Sequence, residues 1–300
     1  MKKKTYLFAL MAMALTLGSC SDNENGIGGE TSKYITVSTS IGNMTRVATD
    51  EKGGQTFEEG DEISVYAWTG DATVAPETRE RVVNNAINKL TNGSWVSTPQ
   101  MLWKNNRDKH YFIGVYPISA ISDLSAGEYT FDVNKQTESD LLVAVNKDGL
   151  SYNVDEQQPV PLTFTHVMAK LVVNLTYKNQ WGGIPTVEKV VVGNAAKEAT
   201  INYLTKVVTP STTAKEDFSL PEITENSKYV SVIIPQEEVK QLTIVIGGKN
   251  FVYDNGTPFK LESGKITTVN LEVGRDEIKL GDVKITNWEN GSTFSGEALN

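Results

Sequence analysis

Short runs in which apolar and polar residues alternate at a period of two, cut by turn residues, restrict this chain more than any other feature. Tyr34-Ile-Thr-Val-Ser-Thr-Ser-Ile41 sets the pattern: Ile35, Val37, Thr39 and Ile41 take one face, and Thr36, Ser38 and Ser40 the other. Successive side chains of a strand point to opposite faces, so the run reads as a strand with one face in a core. Asp61–Trp68, His110–Tyr116 (stopped by Pro117), Glu128–Val133 and Asp140–Val145 read as further strands. Glu77–Leu90 carries helical spacing at Val82, Val83, Ala86, Ile87 and Leu90. Asn92-Gly93 just beyond is a strong hairpin turn, with Trp95 opening a returning strand, and tips that segment toward strand. Lys170–Tyr177 alternates again, with Leu171, Val173, Leu175 and Tyr177 inward. Strands are expected after it at Glu188–Val192, Ala199–Tyr203, Tyr229–Ile234, Leu242–Ile246, Lys249–Tyr253, Lys265–Val273 and Val283–Trp288. Gly182-Gly183, Gly247-Gly248, Asn255-Gly256 and Ser263-Gly264 mark turns between them. Many short strands with regular turn signals mean sandwiches or barrels, and helix is expected to be nearly absent. Three hundred residues favour two domains over one. The polar stretch Asp155–Gln158, followed by Pro159 and Pro161, is the expected boundary, giving all-β domains over 33–158 and 159–300.

The start of the chain sets its compartment. Lys2, Lys3 and Lys4 precede a twelve-residue apolar run, Tyr6–Leu17, closed by Leu17-Gly18-Ser19-Cys20. A charged start, a short apolar core and small residues before a cut form an export signal, here residues 1–20. The run is too short to span a bilayer, which takes about 20 residues. Leu-Gly-Ser-Cys is similar to a bacterial lipoprotein box, in which the thiol of Cys20 takes a diacylglyceryl group and the new amino terminus a third acyl chain. Each buried methylene is worth about 0.8 kcal/mol, so several acyl chains anchor where one does not. Ser21–Ser32 is polar and Gly-rich and reads as a flexible tether. With the three signal lysines removed, 25 of the 28 basic residues remain against 37 acidic ones, a net charge of −12. That balance argues against nucleic acid, whose phosphates need clustered Lys and Arg. Cys20 is the sole cysteine, so disulfides are excluded and packed apolar surface must carry stability.

Reactive chemistry is sparse. His110 and His166 are the only histidines, each in a strand-like apolar setting that reads as structural. No Cys-His or Ser-His-acid pattern appears, and no D-x-D-x-D-G calcium loop. No cofactor, no metal and no catalytic residue is expected, and the chain does not read as an enzyme. Trp68, Trp95, Trp103, Trp181 and Trp288 admit two readings. They fill β cores, where an aromatic buries about 150–250 Å², or they present an aromatic platform to glycan. The alternative function is therefore a non-catalytic, glycan-binding lipoprotein of the cell surface.

Landmarks along the chain resemble the fimbrillin family, the type V pilins and their Mfa-like relatives. The first strand leads to Thr45-Arg46, then Phe57-Glu-Glu-Gly-Asp61 runs into Ile63-Ser-Val-Tyr66. Trp95 and Trp103 precede Tyr111-Phe-Ile-Gly-Val-Tyr-Pro117, and Asp140-Leu-Leu-Val-Ala144 follows. The second half opens with Leu162-Thr-Phe-Thr-His-Val-Met-Ala-Lys-Leu171 and closes on Ile285-Thr-Asn-Trp288. The resemblance implies two transthyretin-like β-sandwich domains in tandem and an outer-membrane lipoprotein that builds or decorates surface fimbriae. It implies cleavage after Arg46, with Val47 as the new amino terminus, and loss of the first strand. The opened groove then takes a terminal strand from a neighbouring subunit, of the same or a homologous chain. The stretch from Glu277 to Asn300 is the candidate donor, with Val283 and Ile285 filling pockets. Stalk, tip and anchor roles all occur in the family, and a ligand on a host or bacterial surface is a further expected partner.

Overall fold

The computed structural model describes residues 33–42, 56–153, 158–275 and 278–288. In chain order the strands are β1 (Val37–Ile41), β2 (Glu62–Thr69), β3 (Arg81–Thr91), β4 (Ser94–Thr98), β5 (His110–Tyr116), β6 (Gly127–Thr130), β7 (Leu142–Leu150) and β8 (Val160–His166). They continue as β9 (Ala169–Tyr177), β10 (Val187–Ala196), β11 (Glu198–Asn202), β12 (Val207–Pro210), β13 (Lys215–Ser219) and β14 (Glu222–Thr224). The last five are β15 (Lys228–Ile233), β16 (Gln236–Ile246), β17 (Lys249–Leu261), β18 (Lys265–Val273) and β19 (Ile278–Asn287). Helix among the described residues is confined to α1 (Gln136–Ser139) and two single 3-10 turns. The all-β expectation holds.

A seven-stranded sheet runs β1-β8-β7-β5-β2-β3-β4. It is antiparallel except where β1 lies parallel to β8. The hairpin between β3 and β4 turns on Asn92 and Gly93, both at positive φ (52° and 73°), as a tight two-residue hairpin demands. That turn decides the ambiguous segment for strand from Arg81 onward, while Thr78–Glu80 at its start form a 3-10 turn. Side chains of β2 divide by parity: Ile63, Val65 and Ala67 enter one core with Ile35, Val37, Leu162 and Phe164. Tyr66 and Trp68 enter a second, larger core that contains most of the interior from Val167 onward. The sheet is therefore buried on both faces, which is why β2 and β5 read as almost unbroken apolar runs.

Three more sheets follow: β13-β10-β16-β17, β12-β11-β6 and β14-β15-β9-β18-β19. Their membership cuts across the boundary expected near residue 158. β8 lies beyond that boundary yet pairs with β7 and β1 of the first half. β6 lies before it yet pairs with β11. Gly127 of β6 packs so closely on Tyr203 that a Cβ there would meet the ring at 2.5 Å. Residues from Lys33 onward group as one unit. Polar residues and prolines mark the connection in the sequence, but strand partners are chosen by geometry rather than by sequence distance.

The turn expected at Asn255-Gly256 is not a reversal. β17 runs through it, and the register against β16 slips between the pairs Gln241–Asp254 and Val239–Phe259. The Asn-Gly pair is accommodated in a bulge, where extra residues oppose a shorter partner segment. β12, β13 and β14 carry too few buried residues to be read from alternation. All three residues of β14 are exposed.

Because β6 and β8 are exchanged across residue 158, fragments 33–158 and 159–300 made separately should each lack a cooperative thermal transition. The chain 33–300 should show one, by circular dichroism at a strand band.

Candidate functional site

No cluster of three or more His, Cys, Asp or Glu able to hold a metal occurs among the described residues. His110 is fully buried. Its Nε2 accepts the backbone N–H of Lys104 at 3.1 Å, and its Nδ1 lies 3.0 Å from the Asp108 carbonyl. An acceptor on Nε2 puts the proton on Nδ1, so the ring is neutral and fully bonded. Burial pushes its pKa below the usual value, with the Asp108 contacts opposing. It ties the Lys104–Asp108 turn to β5 and offers no free nitrogen to a substrate. His166 ends β8, with Nδ1 2.8 Å from Asp140 Oδ1 and its ring stacked on Trp288.

The indoles also point inward. Trp68 is buried and donates to the Asp71 carbonyl at 2.9 Å. Trp181 donates to the Val273 carbonyl at 3.0 Å and packs on Phe251. Trp103 packs edge-on against His110 and Phe112. Trp68 and Trp103 border a groove of about 740 Å³ with Arg79, Arg81 and Lys104. The glycan platform weighed from sequence needs exposed coplanar rings. These rings are instead spread over separate packing sites.

The segments that can do something are the two terminal strands. β1 is not a free edge. On one side it pairs in parallel with β8, Val37 against Val160 through Ile41 against Phe164. The bonds from Val160 N to the Thr36 carbonyl (2.8 Å) and from Gly42 N to the Phe164 carbonyl (2.7 Å) extend that contact at both ends. On the other side Ile35 N donates to the Met101 carbonyl at 2.9 Å, and Trp103 N to the Lys33 carbonyl at 3.1 Å. Trp95 Nε1 of β4 donates to Thr39 Oγ1 at 3.0 Å. The sheet thus curls until β1 meets the β4 side. Ile35 and Val37 are 1% and 6% exposed, and Ile41 is half-buried against the same core. Phe164 floors this core over Gly114, where a Cβ would meet the ring at 2.7 Å. Phe57 caps it edge-on to Trp95, Tyr116 and Phe164.

Among the described residues β19 is an edge strand, paired only with β18. Val283 and Ile285 stand opposite Val269 and Thr267, which are fully buried, so both sit on the core-facing side of the sheet. They are nevertheless 37% and 38% exposed. Cys20, Arg46 and Val47 lie outside the described residues.

With the fold and these two strands defined, the comparison with known proteins is direct. The profile of the fimbrillin-like family matches residues 45–288. The chain belongs to the fimbrillin-like family. A Bacteroides uniformis protein named as fimbrium subunit Fim1C is 29% identical over 182 residues, 58% of this chain and 56% of that one. The chain therefore spans about half the length of this curated relative. Two solved structures share the fold of this fimbrillin-like chain, both described as cell adhesion proteins. One, from Bacteroides ovatus, has a TM-score of 0.65 at 18% identity, covering 85% of this chain and 98% of its own. The other, from Bacteroides uniformis, has a TM-score of 0.63 at 19% identity, covering 86% and 100%. Family membership puts the chain among fimbrial structural proteins rather than among enzymes.

Sequence reasoning missed Trp95 as the latch on β1 and the Asp140–His166–Trp288 contact. Each joins residues far apart in the chain, and no local pattern signals either.

A histidine whose folded pKa is depressed loses stability as pH falls through its unfolded value, about 6.5, because the unfolded chain then binds more protons. The melting temperature should drop between pH 7.5 and 5.5. The slope should be flatter in His110→Gln.

Proposed function

We propose that this chain is a structural or adhesive subunit of surface fimbriae, exported as an outer-membrane lipoprotein and assembled by donor-strand exchange after cleavage at Arg46. The observation that carries the reading is the placement of β1. It fills a slot with neighbours on both sides, and the chain leaves it at Gly42 toward Arg46. Removing Ile35, Val37 and Ile41 from the core costs about 1.5–3 kcal/mol each, roughly 5–9 kcal/mol together. The half-buried Ile41 puts the sum near the lower end. That rivals the whole stability of an ordinary domain, about 5–15 kcal/mol. The emptied slot also exposes unpaired backbone along β8, which invites a strand. A strand from a second subunit restores both terms.

The donor is the stretch Glu277–Asn300. In support, β19 is an edge strand that turns Val283 and Ile285 toward the core and leaves them partly uncovered. Donor and acceptor are different surfaces, so the contact is heterologous and propagates as a filament. The slot is built from both sides of residue 158, since β8 pairs with β1, whereas the donor lies wholly in the second half. Partners are other fimbrial subunits, the outer membrane through lipid on Cys20, and a ligand on a host or bacterial surface.

Cutting with an Arg-specific protease, followed by sizing, tests assembly. The wild type should give ladders of polymer, and Arg46→Ala should stay monomeric. A cleaved wild type that remains monomeric with its first strand bound would reject strand exchange. The anchor has its own test. Cys20→Ala should take up no labelled fatty acid and should leave the membrane fraction.

A further inference from the structure

The last strand is fastened at its ends and loosely covered between them. At its start Ile278 and Leu280 pack against the large core. From Gly281 to Ile285 every residue is exposed. Just past its end, Trp288 N donates to the Gly264 carbonyl at 3.0 Å, and the indole lies flat on the His166 imidazole. The ring centroids are 4.0 Å apart and the planes 5° from parallel. Lys170 Nζ lies 5.7 Å from the centre of the same indole.

The imidazole is a prepared surface. A carboxylate at neutral pH only accepts hydrogen bonds, so the 2.8 Å contact with Asp140 Oδ1 puts a proton on His166 Nδ1 and fixes the ring's rotation. Asp140 is itself held in register. Val167 N donates to the Leu141 carbonyl at 3.0 Å, and Leu142 pairs with His166. The platform thus belongs to the seven-stranded sheet, whereas Trp288 extends the edge strand of the five-stranded one. It also sits two residues beyond Phe164, where β1 ends its pairing with β8.

We propose that Asp140, His166 and Trp288 form a clasp that keeps β19 in its own sheet, and that opening this clasp limits the rate at which the strand is handed to a partner subunit. The purpose assigned to the clasp rests on the strand-exchange reading above; its existence as a local restraint does not. Among the described residues β19 pairs with one neighbour, Asn270 Nδ2 donates to Asp282 Oδ1 at 2.6 Å midway along it, and its apolar row is partly exposed, so its end frays first and a flat aromatic stack there decides how often.

Hydrogen exchange of the intact monomer tests the restraint. In Trp288→Leu, which keeps apolar bulk but loses the stack, β19 amides should exchange at least tenfold faster, about 1.4 kcal/mol. Amides of β9 and β15 should not change, and Trp288→Phe, which keeps a ring, should behave as wild type. Unchanged exchange in Trp288→Leu, or an equal rise through β9 and β15, would overturn the clasp. Assembly after cleavage at Arg46 tests the gate: Trp288→Leu should polymerise faster than wild type. Equal rates would overturn the gating role while leaving strand exchange intact. If neither protein polymerises, strand exchange fails and with it the gating role, and the exchange data alone decide the restraint.

Discussion

The parallel pairing of Val37–Ile41 with Val160–Phe164 closes the seven-stranded sheet and brings residues more than a hundred positions apart into one core. Most of the first-half architecture depends on it. Without β1, the core holding Ile63, Val65, Phe112 and Phe164 loses one wall. Without β8, β7 and β1 both lose a neighbour. The pairing carries a loop-closure cost as well, since contacts over such a distance cost entropy before they repay it.

β8 passes almost directly into β9, with only Val167 and Met168 between them. Both residues are buried, so the step from the seven-stranded sheet to the five-stranded sheet has no slack. β6 and its pairing with β11 stitch the halves a second time, and the buried Tyr66, Trp68 and Leu124 join the same core as Tyr203 and Phe218. Charge contributes little to this. The ion pairs Lys89–Glu62, Lys197–Glu216 and Lys260–Glu237 join exposed side chains. Such surface pairs are typically worth about 0–1 kcal/mol each. Apolar burial on both faces of one sheet carries the stability, as a chain with no disulfide requires.

Strand identity was largely legible. The alternation at Tyr34–Ile41 and Lys170–Tyr177, the Asn92-Gly93 turn and the apolar run at His110–Tyr116 all gave strands where they stood. Helix was rightly expected to be nearly absent. The short, little-buried strands β12, β13 and β14 were not legible, because an edge strand is defined by its neighbour's backbone and needs no buried apolar face of its own. Asn255-Gly256 misled for a related reason: the same positive-φ preference that makes a reversal also makes a bulge, and only the partner strand selects between them.

The sequence by itself determined what each segment is: strand or turn, apolar face or polar face, a thiol and an arginine in their order along the chain. Tertiary structure decided which segments are neighbours. It set β8 beside β1 rather than in the second half, moved β6 to β11, turned Val283 and Ile285 toward a core that only partly covers them, and laid Trp288 on His166. Period-two patterning is a property of consecutive residues and survives in the sequence. Pairing, by contrast, is settled by how distant segments pack in three dimensions; the backbone hydrogen bonds that make the ladder are nearly alike from residue to residue and leave little mark on side-chain type.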